Sequence, residues 1–237
     1  MDKGNVLITG GNGFVCMNIA EYFLNRGVNV VTIARHEMQE AASKELSAKK
    51  GTFTQVLGDV LDKDFLSSVI KKYNIEDVIN GAAITPSREL EMSNPRQVMD
   101  VNCMGLMNTL DAARENGVRR FIYLGSVSGY GQTCFNCKVL IEGESMGDPR
   151  SLYELSKFTG ERIVQRYRDL FNMDAYVARI GDVFGNWERR TGVRSYMSLI
   201  YQTTAIALQG GSVVLPKPNM IDWVHGKEIA GEVYALM

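Results

Sequence analysis

Short apolar runs rich in β-branched residues alternate along this chain with longer amphipathic stretches. The runs at 5–9, 28–34, 53–57, 77–80, 119–125 and 174–180 predict strands. The stretches near 14–26, 37–50, 62–73, 95–116 and 151–171 predict helices. "NVVTIA" and "RRFIYLGS" are apolar at consecutive positions instead of alternate ones, the pattern of strands buried on both faces. Strand and helix in alternation predict the α/β class: a Rossmann-type, doubly wound parallel sheet with helices on both sides. Gly27 and Gly117 fall where the helices before them should stop.

After residue 180 the pattern loosens. Residues 181–192 and 210–222 contain Gly and Pro, and a helical stretch near 193–209 lies between them. The expected organisation is a dinucleotide-binding domain over 1–180 and a partial, small C-terminal substrate-binding lobe over 181–237, interleaved with the main domain. The last helical pattern, "KEIAGEVYALM", reaches Met237 with no stop signal, so that lobe is expected to be truncated or naturally short.

Composition narrows the function classes. A net charge of -1 argues against a broad basic surface, so no nucleic-acid partner is expected. No apolar run approaches the ~20 residues of a membrane span, and Met1 to Gly4 lead straight into a strand, with no signal peptide. Four cysteines do not suggest a disulfide framework; a reduced, cytoplasmic protein is expected. Cys134 and Cys137 form a C-x-x-C with no second cysteine pair, and only His36 and His225 could assist. They read as an incidental loop pair in preference to a zinc or redox centre, and no metal site is expected.

Four local patterns carry chemistry. The first is "TGGNGFVC" over 9–16, a strand, glycine turn and helix in the order that cradles a pyrophosphate. Gly10 permits the tight turn and Gly13 lets the backbone approach phosphate. Cys16 stands where a third glycine would allow close helix–strand packing, and should widen that separation slightly. The second is the end of the second strand, where an acid would hold the adenosine ribose; Ala34 and then Arg35 stand there, which favours NADP, with NAD the alternative. The third is "GDVLD" over 58–62, where Asp59 could accept from an adenine amino group and Asp62 suits a helix N-cap. The fourth is Tyr153 and Lys157, one turn apart on one helix face. An ammonium near a phenol favours proton exchange near neutral pH. Ser126, ending the fifth strand, could hold a substrate oxygen beside them.

Together these residues resemble the extended short-chain dehydrogenase/reductase family, in its NAD(P)-dependent sugar epimerase/dehydratase branch. The resemblance covers nearly the whole chain. "ITGGNGFVC" matches TGxxGxxG apart from Cys16, and "LGDVLD", "VINGAA" and "VNCMG" follow in order. "GSVSGYG" is similar to SSxxVYG, and "ARIGDVFG" and "IDWVHGKEIA" to LRxxNVYG and RDFxHVDDxA. The resemblance implies Ser126, Tyr153 and Lys157 as the catalytic set. It implies a cofactor site of Gly10, Asn12, Gly13, Phe14, Val15, Arg35, Asp59, Val60, Ala82, Asn102 and Ile180, joined by Tyr153 and Lys157. Thr85, Ser126 and Asp182 would face the substrate. Tyr153 would remove a proton from a secondary alcohol of a sugar-like substrate while the nicotinamide takes hydride; an epimerase returns the hydride to the opposite face, and a dehydrogenase releases the ketone. The helices over 95–116 and 151–171 would pair in a homodimer.

Departures from the family pattern bear on the substrate. Val127 and Ser128 replace the acidic pair of the 4,6-dehydratases and sugar decarboxylases, which disfavours elimination chemistry. Asp182 and Ile221 replace an Asn and an Arg that often help bind a sugar nucleotide diphosphate, and both are poor phosphate ligands. These departures weigh against a nucleotide sugar and toward a free sugar, a sugar acid or another carbonyl compound. Trp187 and Trp223 could line a pocket or fill the lobe's core. The rival reading is a non-catalytic NAD(P)-binding sensor or scaffold of the same fold, against which the retained Ser126, Tyr153 and Lys157 speak.

Overall fold

Six strands form one sheet in the order β3-β2-β1-β4-β5-β6. They are β1 (Asn5–Thr9), β2 (Asn29–Ala34), β3 (Phe53–Leu57), β4 (Ile75–Asn80), β5 (Arg120–Ser126) and β6 (Ala175–Ile180), and every neighbouring pair is parallel. This is the doubly wound Rossmann arrangement expected from the alternating pattern. The computed structural model describes residues 4–189, 197–215 and 222–237.

The helices that interleave with the strands are α1 (Phe14–Asn25), α2 (Glu40–Ser47), α3 (Lys63–Lys72), α4 (Arg88–Ser93), α5 (Pro95–Met99) and α6 (Gly105–Glu115), then α7 (Thr133–Asn136) and α8 (Leu152–Phe171). After β6 come β7 (Asp182–Phe184), α9 (Leu199–Leu208), β8 (Trp223–His225) and α10 (Gly226–Ala235). On one face of the sheet, Met17 and Phe23 of α1 and Val233 of α10 cover Ile8, Ile79 and Ile122. On the other, Leu66, Leu110 and Val164 of α3, α6 and α8 cover Leu7, Val78 and Phe121. Consecutive strand residues thus alternate between two cores, which explains why the strands read as unbroken apolar runs.

Three regions differ from the expected pattern. The helix expected over 95–116 is α5 and α6 joined by a π-helical turn, Asp100–Met104, whose wider winding carries Asn102 into the interior. The stretch 37–50 is helical only from Glu40, because the amide of Met38 is held by the Gln55 side chain at 2.9 Å. The terminal helix does not belong to a separate lobe. Ile229, Ala230 and Val233 of α10 pack on α1, Tyr234 meets Phe23 edge-on at 5.1 Å, and Arg120 donates to the Leu236 and Met237 carbonyls. Within the expected lobe, β7 and β8 pair in parallel as a small second sheet, and residues 193–196 and Ile221 lie outside the described residues.

Candidate active site

The glycine loop leaves the carboxyl end of β1 between β2 and β4, the point where strand order reverses. Gly10 has φ +71°, and a Cβ there would sit 2.7 Å from the Ala82 backbone, so only glycine serves. Buried Thr9 ties the loop to the exit of β4, its hydroxyl accepting from the amides of Gly81 and Ala82, both at 3.2 Å. Gly13 begins α1 with no side-chain cap, and a Cβ on it would meet the Gly10 carbonyl at 3.0 Å. An uncapped first turn of amides behind a side-chain-free loop is an anion cradle, so the residues fit a dinucleotide pyrophosphate.

The space for the Cys16 side chain lies over Gly81. The buried thiol points at Gly81, where a Cβ would lie 2.3 Å from Sγ, and donates to the Thr9 carbonyl at 3.6 Å. The volume gained at position 16 is given up at position 81. Burial, above all, pushes this thiol up to about 12, so it remains protonated and inert.

At the end of β2, Ala34 is buried while Arg35, His36 and Glu37 are exposed. Asn12 of the glycine loop donates to the His36 carbonyl at 2.7 Å and accepts from Gln55 at 3.0 Å, so two carboxamides clasp the segment after β2. After β3, Asp62 caps α3 through the Phe65 amide, as its position suggested, while Asp59 accepts from the Leu61 amide at 3.0 Å. Asn108 of α6 holds the Val60 and Leu61 carbonyls.

Ser126 ends β5, and the following 3-10 turn, Val127–Tyr130, packs beneath α8. Its hydroxyl accepts from the Ser128 hydroxyl at 2.8 Å and from the Ser128 amide at 3.2 Å. Helix α8 opens with a capping box of Ser151 and Glu154, worth about 1 kcal/mol, which fixes where Tyr153 and Lys157 begin. Tyr153 is half-buried. Lys157 is buried and donates to the Leu124 carbonyl at 2.8 Å, two residues before Ser126. Its ammonium lies 5.8 Å from the Tyr153 ring centre and 5.0 Å from that of Tyr123. Burial works against that charge, but the Tyr123 and Tyr153 oxygens outweigh it, and Lys157 stays above the usual lysine value.

Asn102 is buried. Its carboxamide accepts from the Ile84 amide at 2.7 Å and donates to the Ile84 carbonyl and the Ser156 hydroxyl. It joins the loop after β4, which carries half-buried Thr85, to the α8 turn bearing Lys157. Ile180 ends β6, half-buried, and Asp182 is exposed on β7. Beyond it, a cavity of about 350 Å³ is lined by Phe184, Gly185, Glu188, Ile200, Tyr201 and Leu208. Trp187 lies outside that cavity's wall, packed on the α1 core with its indole donating to Glu21 at 2.8 Å; Trp223 meets Phe184 edge-on at 6.4 Å. Sequence reasoning missed Thr9, Gln55, Asn108 and Ser156. Each is a polar residue visible in the sequence but without a partner until the elements are assembled.

The model of the NAD dependent epimerase/dehydratase family matches residues 6–237. Protein CapI of Staphylococcus aureus is 29% identical over 239 residues, covering 98% of this chain and 69% of that protein. UDP-glucuronate 4-epimerase 4 of Arabidopsis thaliana is 28% identical over 191 residues, covering 78% of this chain and 43% of that one. UDP-glucose 4-epimerase of Thermus thermophilus, solved in complex with NAD, is 26% identical with a TM-score of 0.73, covering 98% of this chain and 73% of that one. The chain thus spans only part of the length of these relatives. The NAD in the solved relative weighs against the NADP preference expected from Ala34 and Arg35. From its glycine loop to its last helix, the chain belongs to the NAD dependent epimerase/dehydratase family.

Proposed function

We propose that this chain is the NAD-dependent catalytic part of a nucleotide-sugar epimerase, inverting a secondary alcohol carbon of a UDP-hexose. The observation that carries this reading is the placement of Lys157. It is a buried ammonium tied to the Leu124 carbonyl, on one helix face with Tyr153, at the sheet edge where the uncapped start of α1 opens. A bound nicotinamide would supply a reversible hydride acceptor there. Tyr153 takes the hydroxyl proton of the substrate and returns it once the carbon presents its other face. Lys157 holds the cofactor ribose and the local positive charge. Ser126 receives two hydrogen bonds from Ser128, which fills its acceptor positions and leaves its own proton to donate to the substrate oxygen. The wall near Asp182 and the cavity beneath α9 would take the sugar nucleotide.

NAD is the proposed cofactor, since the solved relative carries it. Exposed Arg35 is the residue through which NADP would be admitted. The reading includes a homodimer formed through the faces of α8 and of α6 with the π turn before it, where Leu155 and Met104 are exposed. A monomeric sedimentation mass at micromolar concentration rejects that element.

The test is turnover of UDP-glucose and UDP-glucuronate with NAD, followed by product chromatography alongside nicotinamide absorbance. Epimer without net absorbance change is expected. Tyr153→Phe should lower turnover by ~10²–10⁴-fold with cofactor affinity retained. Undiminished activity in that variant overturns the mechanism. Cofactor binding by the unaltered chain without any turnover favours the sensor or scaffold reading.

A further inference from the structure

The one-turn helix α7 stands on the segment that follows the Ser126 turn, and it carries two cysteines outside the core. Cys134 and Cys137 are free thiols; the first is half-buried and the second exposed. Cys134, Phe135 and Asn136 are helical, and the Cys137 amide closes the turn on the Thr133 carbonyl at 3.1 Å. Cys137 is the C-cap of that turn, with extended backbone (φ -112°, ψ 137°), so the two thiols stand on either side of a single helix end and a change of side-chain rotamers and cap geometry is what would bring their Cβ atoms to the ~3.8 Å of a disulfide. The Cys134 thiol also donates to the carbonyl of Val127 at 3.7 Å, and Val127 directly follows Ser126. The segment is anchored on both sides. Gln132 donates to the Asp148 carbonyl, Asp148 donates to the Tyr130 carbonyl, both at 2.9 Å, and the Thr133 hydroxyl donates to the Met146 carbonyl.

We infer that Cys134 and Cys137 form a reversible dithiol–disulfide modification site coupled to the Ser126 turn. Exposed Cys137 meets the oxidant and Cys134 resolves. Burial, chiefly, pushes the Cys134 thiol up, with nearby Glu154 and Cys137 adding to it, so it is the poorer first nucleophile. With a low-molecular-weight disulfide such as oxidised glutathione, the Cys137 thiolate attacks one sulfur and the first glutathione thiolate leaves. The Cys134 thiol then loses its proton and attacks the Cys137 sulfur, and the second thiolate leaves. Two protein thiols are oxidised to one disulfide, one glutathione disulfide is reduced to two thiols, and the two protons pass to the leaving groups. Because the anchors hold the flanks, withdrawal of the Cys134 thiol from Val127 acts on the turn that bears Ser126 and Ser128. Cys16 and Cys103 are buried and stay out of the exchange.

The full chain is equilibrated in graded reduced and oxidised glutathione, unfolded in alkylating reagent and weighed intact. The expected product carries two alkyl groups where the fully reduced chain carries four, with the bond mapped to 134–137. Reductant reverses it, and neither Cys134→Ser nor Cys137→Ser forms it. A persistent glutathione adduct, an intermolecular disulfide or no oxidation overturns the site. Amide exchange over 126–131 should change several-fold between the two forms, and unchanged exchange overturns the coupling. Neither readout uses a sugar substrate, so failure here leaves the proposed activity standing, and the reverse also holds.

Discussion

Two regions of the molecule, the carboxyl edge of the large sheet and the segment around α9, are built on different physical footings. At the sheet edge, the groups that shape the site are backed by buried ties between elements far apart in sequence. Thr9 holds the β4 exit, Asn102 joins Ile84 to Ser156, and Lys157 reaches the Leu124 carbonyl. By contrast, α9 buries none of its residues, and Leu199, Ile206 and Leu208 are exposed. Its first turn is held by Ser198, whose amide and hydroxyl both donate to buried Glu188. A parallel sheet edge brings strand ends together whatever their spacing in the chain, so a site on it inherits the stability of the core. A helix secured by one local cap does not. Cofactor binding should therefore respond to distant buried substitutions, and the α9 segment only to its neighbours.

The strongest challenge to that contrast is Gly10→Val. A β-branched residue at φ +71° against the Ala82 backbone adds about 1–3 kcal/mol of strain before any clash is relieved, so NAD binding should be lost in titration while far-UV spectra persist. Retained affinity would mean the cradle is not where the phosphates lie. Next comes Asn102→Leu, which strands buried partners at Ile84 and Ser156. A Tm fall on the order of 5–10 °C is expected in calorimetry, together with weaker NAD binding. Weaker binding without loss of stability would instead assign Asn102 a direct ligand contact. Glu188→Ala should speed amide exchange in α9 by roughly tenfold, the loss of a helix cap, with cofactor affinity unchanged. An effect on NAD would join the two regions energetically. The smallest effect belongs to Cys16→Gly: NAD affinity within about twofold of the parent, since the thiol's space is already provided by Gly81. A large loss would give the thiol a role beyond packing.

The same contrast governs how much of the molecule could be read from its sequence. Strand positions and helix stops followed from local patterns. Gly27 and Gly117 take positive φ as the stop signals required, and the six strands begin and end within about two residues of the apolar runs. The motifs that encode a local geometry, the glycine loop and the Tyr153–Lys157 turn, fold as their spacing required. Asn102 stood out by its motif, but its partners Ile84 and Ser156 emerge only once the π turn carries it inward. The last helix was placed with the lobe because chain order cannot say which core an apolar stripe will join.

Binary patterning, turn chemistry and a few spaced motifs act over distances of a few residues, so the sequence by itself determined the α/β sheet, the nucleotide cradle and the tyrosine–lysine pair. The partners of buried polar atoms are chosen across tens of residues by which elements close on each other. Only the tertiary structure decided that Gly81 makes room for Cys16, that Gln55 clasps Asn12, and that Cys134 leans on the turn of Ser126.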